Sequence, residues 1–208
     1  LFPDITLTFK KLVLIDDEAF QNPFCIIVPN ERMLDKASER WQKNYYYVLS
    51  KLIDIILTKS NLNIVMLIHA VGQSADALVG RKAIESVRKI YSGRIIYYVE
   101  EDPVRLKSII SKSTFLIGSR FHALASALSL NIPAIATSWL HKYEMLFQDY
   151  DVKEFSFKEP DDEIYERVES LLNEEYRNII QNRLKIANSL INEKSKAMWN
   201  LILSMMKS

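Results

Sequence analysis

The chain has 208 residues, 49% of them hydrophobic and 25% charged, with a formal net charge of +1. That composition suits a soluble globular α/β protein with ample core material, and it lacks the basic field of a nucleic-acid binder. One cysteine, Cys25, excludes a disulfide within the chain, and its apolar setting reads as a buried thiol in a reducing compartment.

No apolar run approaches the roughly 18–20 residues that span a bilayer, and no signal-peptide pattern is visible. The chain starts at Leu1 and reads as one part of a longer protein. After the apolar Leu12–Ile15, the acids Asp16, Asp17 and Glu18 read as a solvated turn. Phe24–Val28 is a continuous apolar run closed by Pro29 and Asn30, the pattern of a buried strand. From Ser38 to Lys59, Tyr45, Val48, Leu49, Leu52, Ile55 and Ile56 recur at helical spacing. Asn63–His69 reads as a second buried strand. The Gly72 loop follows, with Asp76 placed to cap a helix running through Ile90.

Arg94–Val99 is the third strand, and Asp102-Pro103 opens a short helix with an N-cap acid and a first-turn proline. Thr114–Ile117 is the fourth strand. It leads through Gly118 and Ser119 into a small-residue helix that begins at Arg120. Ala134–Thr137 is the fifth strand, with a helix from Lys142 to Gln148. Two amphipathic helices close the chain, one carrying Ile164, Val168 and Leu171, the other running from about Glu175 toward Met206.

Apolar strands alternating with helices predict a parallel sheet covered on both faces. The expected fold is α/β, a Rossmann-like doubly wound sheet over residues 24–150, with carboxyl-terminal helices over 151–208. Residues 1–23 read as a linker or the remnant of a preceding domain. In such sheets ligands bind beyond the carboxyl ends of the strands.

Arg120 and His122 fall at a helix start, where free N–H groups and the helix dipole favour an anion. Arginine offers a fixed fork to carboxylate or phosphate, and histidine can move a proton near neutral pH. By spacing alone they could equally be a surface arginine and a core histidine. Lys142, just past the fifth strand, could reach the same ligand or be a solvated charge. His69 and Asp76 flank the Gly72 loop as rim candidates, and Glu100 stands at the end of the third strand. No metal-ligand spacing, dinucleotide glycine fingerprint, P-loop or nucleophile elbow occurs.

The stretch Phe115-Leu-Ile-Gly-Ser-Arg-Phe-His-Ala-Leu-Ala-Ser-Ala-Leu-Ser-Leu-Asn-Ile-Pro-Ala-Ile, followed by Lys142, resembles the signature of the polysaccharide pyruvyl transferase family. The segment from Ile64 through His69 to Asp76 is similar to that family as well. The resemblance covers about residues 24–150. It implies the carboxyl-terminal, donor-binding half of a two-domain GT-B-type enzyme, with a missing amino-terminal domain as its partner and an incomplete catalyst on its own.

The implied reaction moves a pyruvyl group from phosphoenolpyruvate onto two sugar hydroxyls as a ketal, in bacterial surface or exopolysaccharide synthesis. It implies no cofactor, a saccharide or lipid-linked saccharide acceptor, and a cytoplasmic location at or near the inner membrane face. By resemblance, His122 is the general acid. Ser119, Arg120, Phe121, His122 and Lys142 would hold phosphoenolpyruvate. The alternatives are a GT-B glycosyltransferase with a nucleotide-sugar donor, for which Glu100 or Glu101 would be the ribose acid, and a non-catalytic interaction domain.

Overall fold

Six strands form one sheet: β1 (Phe24–Val28), β2 (Asn63–Ile68), β3 (Ile95–Val99), β4 (Leu116–Gly118), β5 (Ala134–Thr137) and β6 (Ser156–Phe157). Their order is β3-β2-β1-β4-β5-β6, and every neighbouring pair is parallel. This computed structural model describes residues 5–68, 75–85, 87 and 89–206. The fold is Rossmann-like, with helices flanking the sheet and further helices at the carboxyl end. All residues of β1, β4 and β5 are buried, as unbroken apolar runs demand of central parallel strands. Cys25 is fully buried in β1, where desolvation raises its thiol pKa to about 12.

The helices are α1 (Glu39–Lys59), α2 (Ala75–Glu85), α3 (Pro103–Ser111), α4 (Phe121–Ser129), α5 (His141–Asp149), α6 (Glu163–Leu172) and α7 (Glu174–Met205). α1 starts where the Ser38 hydroxyl accepts the Trp41 N–H, and it packs against α2 and α6. α3 packs on α4, which also meets α7. Asp102 caps α3 by accepting the N–H groups of Val104 and Arg105, with Pro103 in the first turn as expected.

Three details differ from the sequence expectations. The described part of α2 is Ala75–Glu85, and Ile90 lies instead in a 3₁₀ helix, Lys89–Arg94. Arg120 is the N-cap of α4, one residue ahead of the helix. The strand β6 was not foreseen, because two residues are too short to display a period.

Two close approaches explain glycines. A Cβ on Gly118 would sit 3.3 Å from Val28 Cβ and 3.2 Å from Leu116 Cδ2, where β4 meets β1. One on Gly80 would stand 3.0 Å from Met66 Cγ, which keeps α2 tight on β2. At the far end of α4, Asn131 takes φ 59°, the Ile132 N–H bonds Ala127 O at 2.9 Å and the Asn131 N–H bonds Leu128 O at 3.1 Å. This left-handed cap turns the chain directly into β5.

The amino-terminal segment lies along α3. Leu7, Ile15 and Phe20 are buried. The Lys112 ammonium donates to Ile15 O at 2.5 Å, the Val13 N–H donates to Ser108 Oγ at 2.9 Å, and Lys107 donates to Phe9 O. Of the acids read as a solvated turn, Asp17 accepts the Ala19 N–H and caps a 3₁₀ helix. At the carboxyl end, α7 buries Ile180, Leu184, Ala187 and Ile191. Its Asn188 amide donates to Leu128 O at 2.9 Å and Asn131 Oδ1 at 2.8 Å, fastening α7 to the α4 turn. No helix among the described residues is long and apolar enough to cross a membrane.

Candidate active site

The strand order reverses between β1 and β4, so the loops leaving these two neighbours diverge and open a crevice at the carboxyl edge. A buried polar lattice ties the loops together. The Asn30 amide donates to Ser119 O at 2.8 Å, its Oδ1 accepts the Arg32 N–H at 3.0 Å, and its own N–H donates to the Tyr45 hydroxyl at 3.2 Å. The Ser119 hydroxyl bonds the hydroxyls of Tyr45 at 2.7 Å and Thr137 at 2.6 Å, while Ser119 O also accepts the Tyr143 hydroxyl at 2.9 Å. Burial pushes the Tyr45 phenol above its ordinary range and the Tyr143 phenol up to about 12, the latter against the opposing pull of Arg120. Both stay protonated at neutral pH and act as fixed struts.

Ser119, expected among the ligand contacts, therefore stands behind the crevice. It is fully buried, its hydroxyl already holds two partners, and its N–H bonds Val28 O. Its place in the motif is explained by the turn it locks.

Asp76 ties α2 to two loops. Its buried carboxylate takes Arg120 through Nε at 2.8 Å and through a terminal nitrogen at 2.5 Å, both on Oδ2. Oδ1 accepts the Glu31 N–H at 2.8 Å. Asp76 lies within the first turn of α2, and its side chain reaches across the crevice. Arg120 keeps its other terminal nitrogen without a hydrogen bond among the described residues, and it borders a cavity of about 420 Å³. That volume falls within the usual range for small-ligand sites.

His122 and Lys142 line the same cavity, so the Arg120–His122 turn and the more distant Lys142 share one space. The His122 ring is exposed, meets Phe121 edge-on at 5.8 Å, and has no hydrogen bond among the described residues. Lys142 Nζ stands 4.8 Å from the Phe121 ring and 5.6 Å from the Tyr143 ring, with no carboxylate within ion-pair reach among the described residues. Neither α4 nor α5 has a side-chain cap at its N-terminus, and residues of both termini line the cavity. A dianion placed here would meet two helix N-termini and the cations Arg32, Arg120 and Lys142, with the acid Glu101 also on the wall.

Sequence reasoning missed Arg32, Trp139 and Tyr143, which also line the cavity. Their positions after β1 and β5 were the available signal, since every such loop borders the crevice. Of the rim candidates, Glu100 turns away: it accepts the Asp102 N–H and pairs with Arg105 at 3.0 Å. Its neighbour Glu101 lines the cavity. His69 and the Gly72 loop lie outside the described residues. Among the described residues no group of three His, Cys, Asp or Glu side chains could hold a metal ion.

A family model described as polysaccharide pyruvyl transferase matches residues 1–141 of the 208. The chain belongs to this family. The match includes Arg120 and His122 and ends one residue before Lys142. It also takes in the first 23 residues, ahead of the expected resemblance. A polysaccharide pyruvyl transferase is a transferase with a saccharide acceptor. No curated protein matches the chain in sequence.

One charge cluster beside the site gives a pH prediction for this pyruvyl transferase family member. Glu144 on α5 pairs with Lys158, with Lys153 at 3.0 Å and with His141 at 3.2 Å. Lys158 foremost, then Lys153 and His141, hold its carboxyl down from 4.5 to about 2. A depressed folded-state pKa stabilises above the unfolded value and loses that contribution as pH falls from about 4.5 to about 2. Glu144→Gln should therefore lower the urea midpoint near neutral pH and leave it nearly unchanged near pH 2. An equal loss at both would show that packing, not charge, is what Glu144 contributes.

Proposed function

We propose that the protein transfers a pyruvyl group from phosphoenolpyruvate to a pair of saccharide hydroxyls as a ketal, and that the crevice between β1 and β4 is its donor site. The observation that carries this reading is the convergence of Arg120, His122 and Lys142 on one cavity, in a chain of this family. Phosphoenolpyruvate carries a carboxylate and a phosphate, which suits a site built from cations and uncapped helix ends.

In the proposed mechanism His122 protonates the methylene carbon, leaving an oxocarbenium carbon that one acceptor hydroxyl attacks. The second hydroxyl then displaces phosphate. One hydroxyl proton replaces the one that His122 gave up, and the other leaves with phosphate. Arg120, Lys142 and the first N–H groups of α4 hold the donor's negative charges throughout. The proposed setting is bacterial surface-polysaccharide synthesis in the cytoplasm, completed by an amino-terminal domain that supplies most of the acceptor surface.

The test is calorimetry of the intact protein with phosphoenolpyruvate. Lys142→Ala should weaken binding about tenfold or more, as loss of a charge-assisted contact does. Binding equal to that of the parent would remove Lys142 from the site.

A second reading has one observation in its favour. Glu101 at the end of β3 faces the same cavity, as the ribose acid of a nucleotide-sugar site would. A thermal shift with nucleoside diphosphates, and none with phosphoenolpyruvate, would select that reading.

A further inference from the structure

We infer that Arg32, on the loop after β1, is a second donor-binding cation that grips the donor's phosphate and leaves Arg120 to the carboxylate; this rests on the phosphoenolpyruvate reading. The argument begins with charge. Arg120 is closely paired with Asp76, whose side chain is 1% exposed. The two together carry no net charge, so Arg120 supplies directed N–H donors rather than a field. A planar fork of this kind matches a carboxylate. The phosphate is the more highly charged group, and it calls for cations whose charge is not already neutralised.

Apart from Arg120, the cavity's arginine and lysine side chains are Arg32 and Lys142, and neither is held by a buried carboxylate among the described residues. Lys142 lies against aromatic rings. Arg32 pairs with Asp35 at 3.1 Å, but both side chains are about half exposed, at 52% and 48%. Exposed pairs hold weakly, and a phosphate in the cavity can replace Asp35 as partner. The two cations enter from different segments, one on the turn after β1 and one in the first turn of α5. They can therefore grip one ligand from separate elements.

The backbone that carries Arg32 is fixed. Its N–H is held by the buried Asn30 at 3.0 Å, and the preceding N–H, of Glu31, by Asp76 at 2.8 Å. The carboxylate that orients the Arg120 guanidinium thus also anchors the Arg32 loop. Asn30 in turn is tied to Ser119 O, at the start of the Arg120 turn. This lattice sets the two arginines on adjoining walls of one cavity before any ligand arrives, which limits the ordering that binding requires.

The experiment is calorimetry of the intact protein with phosphoenolpyruvate, inorganic phosphate and a nucleoside diphosphate, on the parent, Arg32→Ala, Arg32→Lys and Lys36→Ala. Lys36 approaches the same Asp35 but does not line the cavity, so it serves as the control. Arg32→Ala should weaken phosphoenolpyruvate and phosphate about tenfold or more, the scale of a charge-assisted contact. Arg32→Lys should recover part of that loss, and Lys36→Ala should match the parent. Parent-like affinity in Arg32→Ala overturns the assignment and leaves the donor reading standing. If the parent binds only the diphosphate, the donor reading falls, and a similar loss in Arg32→Ala keeps Arg32 as a phosphate ligand. A parent that binds none of the three overturns both.

Discussion

Turnover of phosphoenolpyruvate by the intact protein should fall by about 10²- to 10⁴-fold when His122 becomes alanine, the range for removing a positioned general acid. Donor affinity should change far less, because the cations and helix N-termini remain. His122 is the second residue of α4, its ring is exposed toward the cavity, and Phe121 packs edge-on against it. That location lets the ring reach a bound ligand without a competing partner among the described residues. Phosphate release under single-turnover conditions separates the chemical step from binding. A loss of less than tenfold at unchanged affinity would assign proton delivery to another group.

The largest combined effect is expected at Asp76. Asp76→Ala leaves the Arg120 guanidinium without its counter-charge and the Glu31 N–H without its acceptor. Breaking a fully buried pair costs about 3–5 kcal/mol, and Arg120 retains 30% exposure, so about 2–3 kcal/mol is the expected loss in urea unfolding. Donor binding should weaken in the same variant, since both arginine loops lose their anchor. Asp76→Asn keeps an acceptor for the Glu31 N–H but not the charge, and should recover part of the stability. Parent-like stability in Asp76→Ala would mean that the Asn30–Ser119–Tyr45 lattice alone fixes these loops.

The fold was legible because its signals are local and repeated. β1, β2, β4 and β5 are each built around a continuous apolar run, and α1 repeats its buried residues at helical spacing. At the edges of the sheet, the half-buried β3 was still legible, but the two-residue β6 is held by its neighbour rather than by a pattern of its own. Likewise the shortened α2 left Ile90 in a 3₁₀ helix, because helical spacing does not mark where hydrogen bonding changes.

The site was legible only in part. Arg120 and His122 stand out beside each other in one stretch, and Lys142 follows a strand end. Arg32 also follows a strand, but it is one of several charges in the segment from Glu31 to Lys36. Ser119 sits in the same motif yet points inward, since a residue's place in a turn does not determine which side its hydroxyl faces.

By itself the sequence determined the alternation of strand and helix, the strand-to-helix turn that carries Arg120 and the family, because these depend on short-range periodicity and on contiguous residues. The tertiary structure alone decided that the strand order reverses between β1 and β4, that Asp76 neutralises Arg120, and that Arg32 joins Lys142 at the cavity. Asp76 and Arg120 lie 44 residues apart. Pairing, burial and net charge at a point in space arise only when distant loops meet, and that meeting depends on strand order, which no local pattern encodes.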